Sequence, residues 1–229
     1  MSVVFRRSIQ ISTTALLALL LVLAACTTVT NSTTTTVTGS GTPLTEERTV
    51  GGFSKFDLRT IGGVNVTIGE TDTLSISGDS NIVPLITVYV QNGWLVIEGP
   101  ANTSLQPTLP VIYTVTMRGL SDMTLSGSGT ITVNDLSAES LETTVSGSGS
   151  IVVTGTIDRQ QVTISGAGAY DASKVDGTDA GVTVSGMGNA RLNVSGTLDA
   201  TISGAGNIMY SGGATVTQNI TGAGQVVGE

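Results

Sequence analysis

The chain has 229 residues and a formal net charge of −8, with 30 glycines, 3% aromatic residues and 11% charged residues. So few rings disfavour a sandwich with an aromatic core and favour a repeat fold whose coils each bury a few Val or Ile side chains. Histidine is absent and the one cysteine is Cys26, which excludes a Ser-His-Asp triad, a Cys-His pair, an ordinary zinc site and an intramolecular disulfide. Seven basic and seventeen acidic side chains follow residue 25, a balance that disfavours nucleic acid as a partner.

The amino-terminal end has the pattern of a secretory signal. Arg6 and Arg7 precede an apolar run over residues 9–25, which closes on Leu23-Ala-Ala-Cys26. This tetrad resembles the bacterial lipobox, which implies cleavage before Cys26 and acylation of its thiol and new amino group. We therefore predict a lipoprotein signal peptide over residues 1–25, with the exported protein anchored through lipid at the outer face of the cell membrane or in the outer membrane. A single anchoring helix is the alternative, since the run is near the lower length limit for a membrane span.

The remainder of the chain divides by composition. Residues 26–49 are rich in Ser and Thr without an apolar period, so they are predicted to form a flexible tether. Residues 50–229 are predicted to form one β domain, with an irregular part over residues 50–120 and regular repeats over residues 121–229.

One phrase, an aliphatic residue followed by Ser or Thr and then Gly-x-Gly, occurs six times from Leu125 onward. Its Ser or Thr falls at 126, 146, 165, 185, 203 and 221, in steps of 18 to 20 residues. A period near 19 suits one coil of a β-solenoid, in which neighbouring coils pair about 4.8 Å apart. We predict an all-β, β-helix-like fold that is stable only as a stack of coils.

Alignment of the six copies gives columns of equivalent residues. The aliphatic residue before the Ser and the mostly apolar residue five positions after it share one strand parity, so both are expected to face inward. Their columns are Leu125, Val145, Ile164, Val184, Ile202, Ile220 and Ile131, Ile151, Tyr170, Ala190, Ile208, Val226. The outward Thr-x-Ser ladder is the candidate binding face. It consists of Thr124, Ser126, Thr144, Ser146, Thr163, Ser165, Thr183, Ser185, Thr201 and Ser203.

The two glycine columns have two structural explanations: a close approach of opposite walls or a positive-φ bend. A phosphate-binding loop is disfavoured because no Lys follows any copy. A calcium-binding nonapeptide solenoid needs Asp after Gly-x-Gly, and none of the six copies has it. The residues at that position are Thr130, Ser150, Ala169, Asn189, Asn207 and Gln225. The glycines are therefore interpreted as structural, and no metal or cofactor is predicted.

The irregular part is also predicted to be rich in strands. Asn92-Gly93 indicates a tight hairpin turn. Residues 76–82 echo residues 202–208, so this part is expected to be a degenerate beginning of the stack that covers its open end. Strands are expected over residues 64–68, 74–77, 86–90, 94–97 and 111–117, and a loop over residues 100–110.

Four motifs in this part, followed by the repeats, resemble a known family. The motifs are Gly52-Phe-Ser-Lys-Phe56, Gly63-Val-Asn-Val-Thr-Ile68, Leu74-Ser-Ile-Ser-Gly-Asp79 and Asn92-Gly-Trp-Leu-Val-Ile97. Over roughly residues 51–213 the chain closely resembles the bacterial family called putative auto-transporter adhesin, head GIN domain. The resemblance implies a β-helical fold in cell-envelope proteins, often lipoproteins, and supplies no catalytic residues. The repeats continue beyond the matching part, to Gly228.

These observations predict a non-catalytic, adhesin-like surface module. Its expected partners are the membrane, through lipidated Cys26, and an extracellular polysaccharide or another envelope component. One alternative is a carbohydrate-active enzyme that uses the column of Asp122, Glu142 and Asp199. Only Asp122 and Glu142 are expected on adjacent coils. Their carboxyl groups would then be about one coil spacing apart, close to the ~5–5.5 Å between the two carboxyl groups of a retaining glycosidase. The other is an ice-binding protein that uses the Thr-x-Ser ladder.

Overall fold

A computed structural model describes residues 34–229, which consist of seventeen strands, one short 3-10 helix and the turns between them. The predicted signal peptide, Cys26 and the first residues of the predicted tether lie outside the described residues. The prediction of an all-β fold is confirmed. The 3-10 helix η1 is Val83–Leu85. The strands are β1 (Thr35–Thr38), β2 (Pro43–Arg48), β3 (Lys55–Arg59), β4 (Gly63–Ile68), β5 (Thr73–Asp79), β6 (Thr87–Gln91), β7 (Trp94–Glu98), β8 (Thr103–Gln106), β9 (Ile112–Met117), β10 (Asp122–Leu125), β11 (Thr130–Val145), β12 (Ser150–Ile164), β13 (Ala169–Val184), β14 (Asn189–Ile202), β15 (Ile208–Ser211), β16 (Thr215–Ile220) and β17 (Val226–Gly228).

The repeats stack in parallel, each on the next. The four long strands β11 to β14 pair in order, so that Val145, Ile164, Val184 and Ile202 lie side by side. All four side chains are 0% exposed, as the parity of the inward column predicts. The register between neighbouring long strands also shifts part-way along, as between β11 and β12 after Val133, and a β-bulge of this kind bends a strand. One strand therefore contributes to more than one wall of its coil, and like residues of successive coils form a continuous core.

The Ser-Gly-x-Gly phrase forms the corner between two walls. In one such corner the backbone N–H groups of Ser146 and Gly147 both donate to the carbonyl oxygen of Leu125 in the preceding coil, at 3.0 and 3.1 Å. A Cβ on Gly147 would overlap the carbonyl oxygen of Gly127, and one on Gly149 that of Gly129. Neither Gly147 nor Gly149 has a positive φ. The glycines therefore permit a close backbone approach between neighbouring coils, which is neither of the two explanations considered from the sequence, an approach of opposite walls or a positive-φ bend.

The first coil of the stack is built from β3 and β4. β10 pairs in parallel with β3, and β11 with β4, which places Leu58 beside Leu125 and Val64 beside Ile131. β7 and β9 add a further parallel layer. The antiparallel strands β2, β5 and β6 complete this end of the sheet, and β2 precedes the irregular part.

Of two predictions about the irregular part, one is wrong and the other is confirmed. The echo between residues 76–82 and 202–208 is misleading, because β5 runs antiparallel to β9 and is not in register with the repeats. The hairpin prediction is confirmed: β6 and β7 pair antiparallel around Asn92 and Gly93, whose φ values are 52° and 79°. The five strands predicted here are present, with ends within two residues of the predicted positions.

The prediction of a flexible tether is wrong from residue 34 onward. β1 pairs in parallel with β8, which itself lies inside the predicted loop, and β2 pairs antiparallel with β5. Val37 and Leu44 are partly buried against the core. A Thr-rich segment suits a strand as well as a linker, and the partner strand decides between the two.

A buried carboxylate fixes this amino-terminal segment. Asp79 is 0% exposed and accepts hydrogen bonds from the backbone N–H groups of Gly41, Thr108 and Leu109, at 2.7, 2.9 and 3.0 Å. Burial opposes ionisation of Asp79, but the three N–H donors outweigh it and hold the pKa of the carboxyl below its usual value. The residues around Gly41 are therefore part of the domain.

Candidate binding surface

One face of the stack carries two columns of outward side chains in register. We call it the outward wall; it comprises β3, β7, β10 and the last residues of β11 to β14. The charged column consists of Trp94, Lys55, Asp122, Glu142, Gln161, Gly181 and Asp199. The threonine column consists of Val96, Asp57, Thr124, Thr144, Thr163, Thr183 and Thr201.

The structure brings the predicted ladder into register but does not make it flat. The five threonines of the ladder are half-buried on the outward wall, whereas the five serines are exposed. Each serine is the first residue after its strand and belongs to the corner, as Ser126 does after β10 ends at Leu125. The Thr and Ser columns therefore do not share one flat strand surface, which removes the geometric basis of the ice-binding alternative.

The charged column contains an ion pair beside the tryptophan ring. The Lys55 Nζ lies 3.2 Å from the Asp122 Oδ2 and 5.5 Å from the centroid of the Trp94 ring. The Ser121 Oγ donates to the same Asp122 oxygen at 2.7 Å. Glu142 is directly beside Asp122 in register and is exposed. The enzyme alternative correctly predicted this adjacency, while Gln161 and Gly181 separate Asp199 from the other two acids.

A second polar cluster, which the repeat pattern did not predict, occupies the start of the threonine column. The Arg59 Nε donates to the Asp57 Oδ2 at 2.6 Å, and the Arg59 Nη1 lies 3.7 Å from the Glu98 Oε2. The hydrogen bond that Arg59 donates to the Asp57 carboxylate raises the pKa of Arg59 above its usual value. The Tyr89 hydroxyl donates to Glu98 at 3.3 Å. The other Asp57 oxygen, Oδ1, is buried and has no hydrogen-bond partner.

The spacing of apolar residues could have located this second cluster. Leu58 and Val64 are six residues apart, as are Leu125 and Ile131 in the first regular repeat. Aligning the two pairs places Asp57 in the threonine column, as the structure does. The corner of the first coil lacks the Ser-Gly-x-Gly phrase, so that phrase does not reveal this coil in the sequence.

Three open depressions follow one another along the outward wall, and neighbours share lining residues. The first is lined by Asp57, Arg59, Gln91, Asn92, Trp94, Val96 and Thr124. The second is lined by Trp94, Asp122, Met123, Thr124, Glu142 and Thr144. The third is lined by Ser121, Asp122, Ser140, Leu141, Glu142, Arg159 and Gln161. Together they form a continuous polar band with a single aromatic ring at one end, which can accept an extended ligand.

The sequence of this domain matches a known family. Residues 52–214 match the family described as putative auto-transporter adhesin, head GIN domain. The chain belongs to this family. The resemblance inferred from the four motifs and the repeats is thereby confirmed. The match begins after β2, so the head GIN domain as a structural unit includes two strands that precede it. No curated protein sequence matches the chain.

Solved structures share the fold of the head GIN domain. A putative adhesin from Bacteroides fragilis is 22% identical, with a TM-score of 0.71 over 84% of this chain and 100% of that one. A putative lipid binding protein and a putative adhesin, both from Parabacteroides distasonis, are 20% and 21% identical, each with a TM-score of 0.54 over 85% of this chain and 99% and 100% of theirs. At these identities the similarity shows the fold alone.

Within residues 34–229 there is no helix of the length and hydropathy that a membrane span needs. Any membrane attachment through Cys26 lies outside the described residues.

Proposed function

We propose that the head GIN domain is a non-catalytic binding module of the cell surface, which holds a polysaccharide or another envelope polymer along the outward wall. The observation that carries this proposal is the pair of polar columns in register on successive coils. Membership of a family described as an adhesin head supports a binding role.

The spacing of the columns suits a polymer. Successive coils present similar hydroxyl, amide or carboxylate groups about 4.8 Å apart, the distance between paired strands. A single such contact is weak. Once one unit of a polymer is bound at one coil, however, the next unit of the same polymer is present at a high effective concentration near the next coil. Weak contacts can therefore sum to useful avidity without a deep pocket.

We also propose that the protein is exported and anchored through lipid on Cys26. The Leu23-Ala-Ala-Cys26 tetrad supports this proposal, as does the adhesin family, whose name implies a location at the cell surface. The test is fractionation of cells that express the full chain or its Cys26→Ala variant. We expect the unchanged chain in the membrane fraction and the variant outside it. A Cys26→Ala protein that stays in the membrane fraction would contradict the lipid anchor.

A second candidate function is polysaccharide hydrolysis by Asp122 and Glu142, and their adjacency favours it. Hydrolysis needs one carboxylic acid to donate a proton while the second acts on the sugar. Lys55 and Ser121 already contact Asp122, and Glu142 is exposed rather than enclosed in a cleft. We expect no new reducing ends when the domain is incubated with polysaccharides. Turnover that disappears in Asp122→Asn would establish the enzyme instead.

The binding proposal is tested on residues 34–229, which form one compact unit. Affinity electrophoresis compares retardation of the domain in gels that each contain one neutral or acidic polysaccharide. The double variant Glu142→Ala with Gln161→Ala removes two exposed groups of the outward wall. Its matched control, Thr130→Ala with Asn134→Ala, changes two exposed residues beyond the corner. We expect weaker retardation of the first double variant only. Equal effects of both pairs, or no retardation by any polymer, would refute binding along the outward wall.

A further inference from the structure

We propose that the first depression, around Trp94, Asp57 and Arg59, is a subsite for one pyranose unit of a neutral saccharide. This inference rests on the proposed function of the outward wall and names the class of ligand. It also states that the ligand binds most tightly at the first depression, at one end of the outward wall.

Trp94 supplies the first line of support. It is the only tryptophan of the chain, and its side chain is half-buried on the outward wall while its neighbours Leu95 and Ile97 fill the core. Trp94 lines both the first and the second depression. Lys55 lies near the ring, in a cation–π contact that helps to fix it. A partly exposed indole among Ser, Thr and charged groups offers the apolar area on which the C–H face of a pyranose ring can pack.

Asp57 supplies an independent line of support. Its side chain is 9% exposed, and Arg59 occupies Oδ2 while Oδ1 has no hydrogen-bond partner. A buried acceptor without a partner is costly, and a donor from a ligand would remove that cost. Asp57 lines the first depression, but its Oδ1 is closed off from solvent. We therefore expect the Asp57 side chain to turn, so that Oδ1 accepts a hydrogen bond from a hydroxyl group bound there. The contacts of Arg59 with Asp57 and Glu98 use Nε and Nη1, which leaves further N–H groups for a sugar oxygen.

The surrounding charges select a neutral saccharide over an acidic one. The carboxylates of Asp57, Glu98, Asp122 and Glu142 outnumber the cations Lys55 and Arg59 in and beside the first two depressions. An acidic sugar would add like charge to this set. The exposed amides of Gln91 and Asn92 at the rim can both donate to and accept from hydroxyl groups.

The single tryptophan makes the subsite directly observable. We would titrate residues 34–229 with laminarin, galactomannan and dextran as neutral probes and with polygalacturonate as the acidic probe. We expect at least one neutral probe to shift the fluorescence of Trp94 to shorter wavelength in a saturable way. Trp94→Ala is expected to lower the affinity, measured by calorimetry, by about tenfold, and Trp94→Phe by less, because it keeps an aromatic ring.

Further variants separate the subsite from a general loss of structure. Asp57→Asn keeps the shape but replaces a carboxylate oxygen by an amide, and Gln91→Ala changes an exposed rim residue; both should weaken binding. Asp176→Asn, the same change at an exposed residue in the middle of β13 and off the outward wall, should not. Melting curves of all variants must be recorded beside the titrations.

The outcomes distinguish this inference from the proposed function. If a neutral polysaccharide binds while the Trp94 emission and the affinity of Trp94→Ala are unchanged, the subsite is wrong and the binding function of the outward wall stands. A clear preference for polygalacturonate overturns the ligand class. If no polysaccharide binds, both the subsite and the proposed function fail.

Discussion

The backbone N–H of Gly41 donates a 2.7 Å hydrogen bond to the Oδ1 of Asp79, a side chain that is 0% exposed. Two more N–H donors, from Thr108 and Leu109, bind the Oδ2. One buried carboxylate thus joins three separate parts of the chain. Because Gly41 precedes the part that matches the family, this contact extends the folded unit towards the amino terminus.

The first prediction concerns the boundary of the domain. A protein that starts at residue 50 lacks β1 and β2, removes the Gly41 donor from Asp79 and leaves the edges of β5 and β8 unpaired. We expect its melting temperature to be clearly lower than that of residues 34–229. Residues 27–229 serve as the control and should melt like residues 34–229. Equal melting of all three proteins would mean that β1 and β2 contribute nothing to stability.

The second prediction concerns acid. The pKa of Asp79 is lowered in the folded state, so its contribution to stability is present above the unfolded-state value of about 3.9 and is lost as the pH falls through the folded-state pKa. Asp79→Asn should therefore melt lower than the unchanged domain at neutral pH and lose less on acidification. Melting curves from neutral to strongly acidic pH test this, with the exposed Asp199→Asn as control. Parallel pH profiles for Asp79→Asn and the unchanged domain would argue against the assignment.

The third prediction concerns the corners. In Gly149→Ala the new methyl group overlaps the Gly129 carbonyl oxygen, so either the coils separate or the corner distorts. We expect a loss of about 1–3 kcal/mol or more in the free energy of unfolding. Ser148→Ala, at the exposed position between the two glycines, should change it by no more than about 0.5 kcal/mol. Urea denaturation measures both, and a neutral Gly149→Ala would refute the close approach.

The fourth prediction concerns the parity of the columns. Ile164 is 0% exposed between Val145 and Val184, whereas Thr163 points to the outward wall. Ile164→Ala should cost about 2–5 kcal/mol, because it removes buried methyl groups and leaves a cavity. Thr163→Ala should cost about 1 kcal/mol or less. Similar losses in urea denaturation would mean that the two columns are not separated as described.

The regular repeats were predictable because like residues stack on like residues. Once the phrase recurs with a fixed parity, both the inward column at Ile164 and the outward column at Thr163 follow from alternation alone. The hairpin at Asn92 was equally local, since two adjacent residues determine the turn.

The remaining features depend on partners that are distant in sequence. β1 is a strand because β8, nearly seventy residues later, pairs with it, and a Thr-rich segment alone does not reveal such a partner. The subsite also depends on register: Asp57 faces Thr124 on one side and Val96 on the other. Its corner lacks the diagnostic glycines, so only the apolar spacing of Leu58 and Val64 carries the signal.

The residue between the two glycines of each corner is exposed in all six copies of the repeat. These residues are Ser128, Ser148, Ala167, Met187, Ala205 and Ala223. Met187 is 70% exposed. Residues 34–229 contain no cysteine, so a single cysteine introduced at any of these six positions would be the only thiol in the domain. Spin labels or dyes attached at these positions would lie about 4.8 Å apart for each coil that separates them, so the distance between two labels would measure the spacing of the coils. Pairs of such labels would report directly whether the coils keep their spacing under force or on contact with another surface.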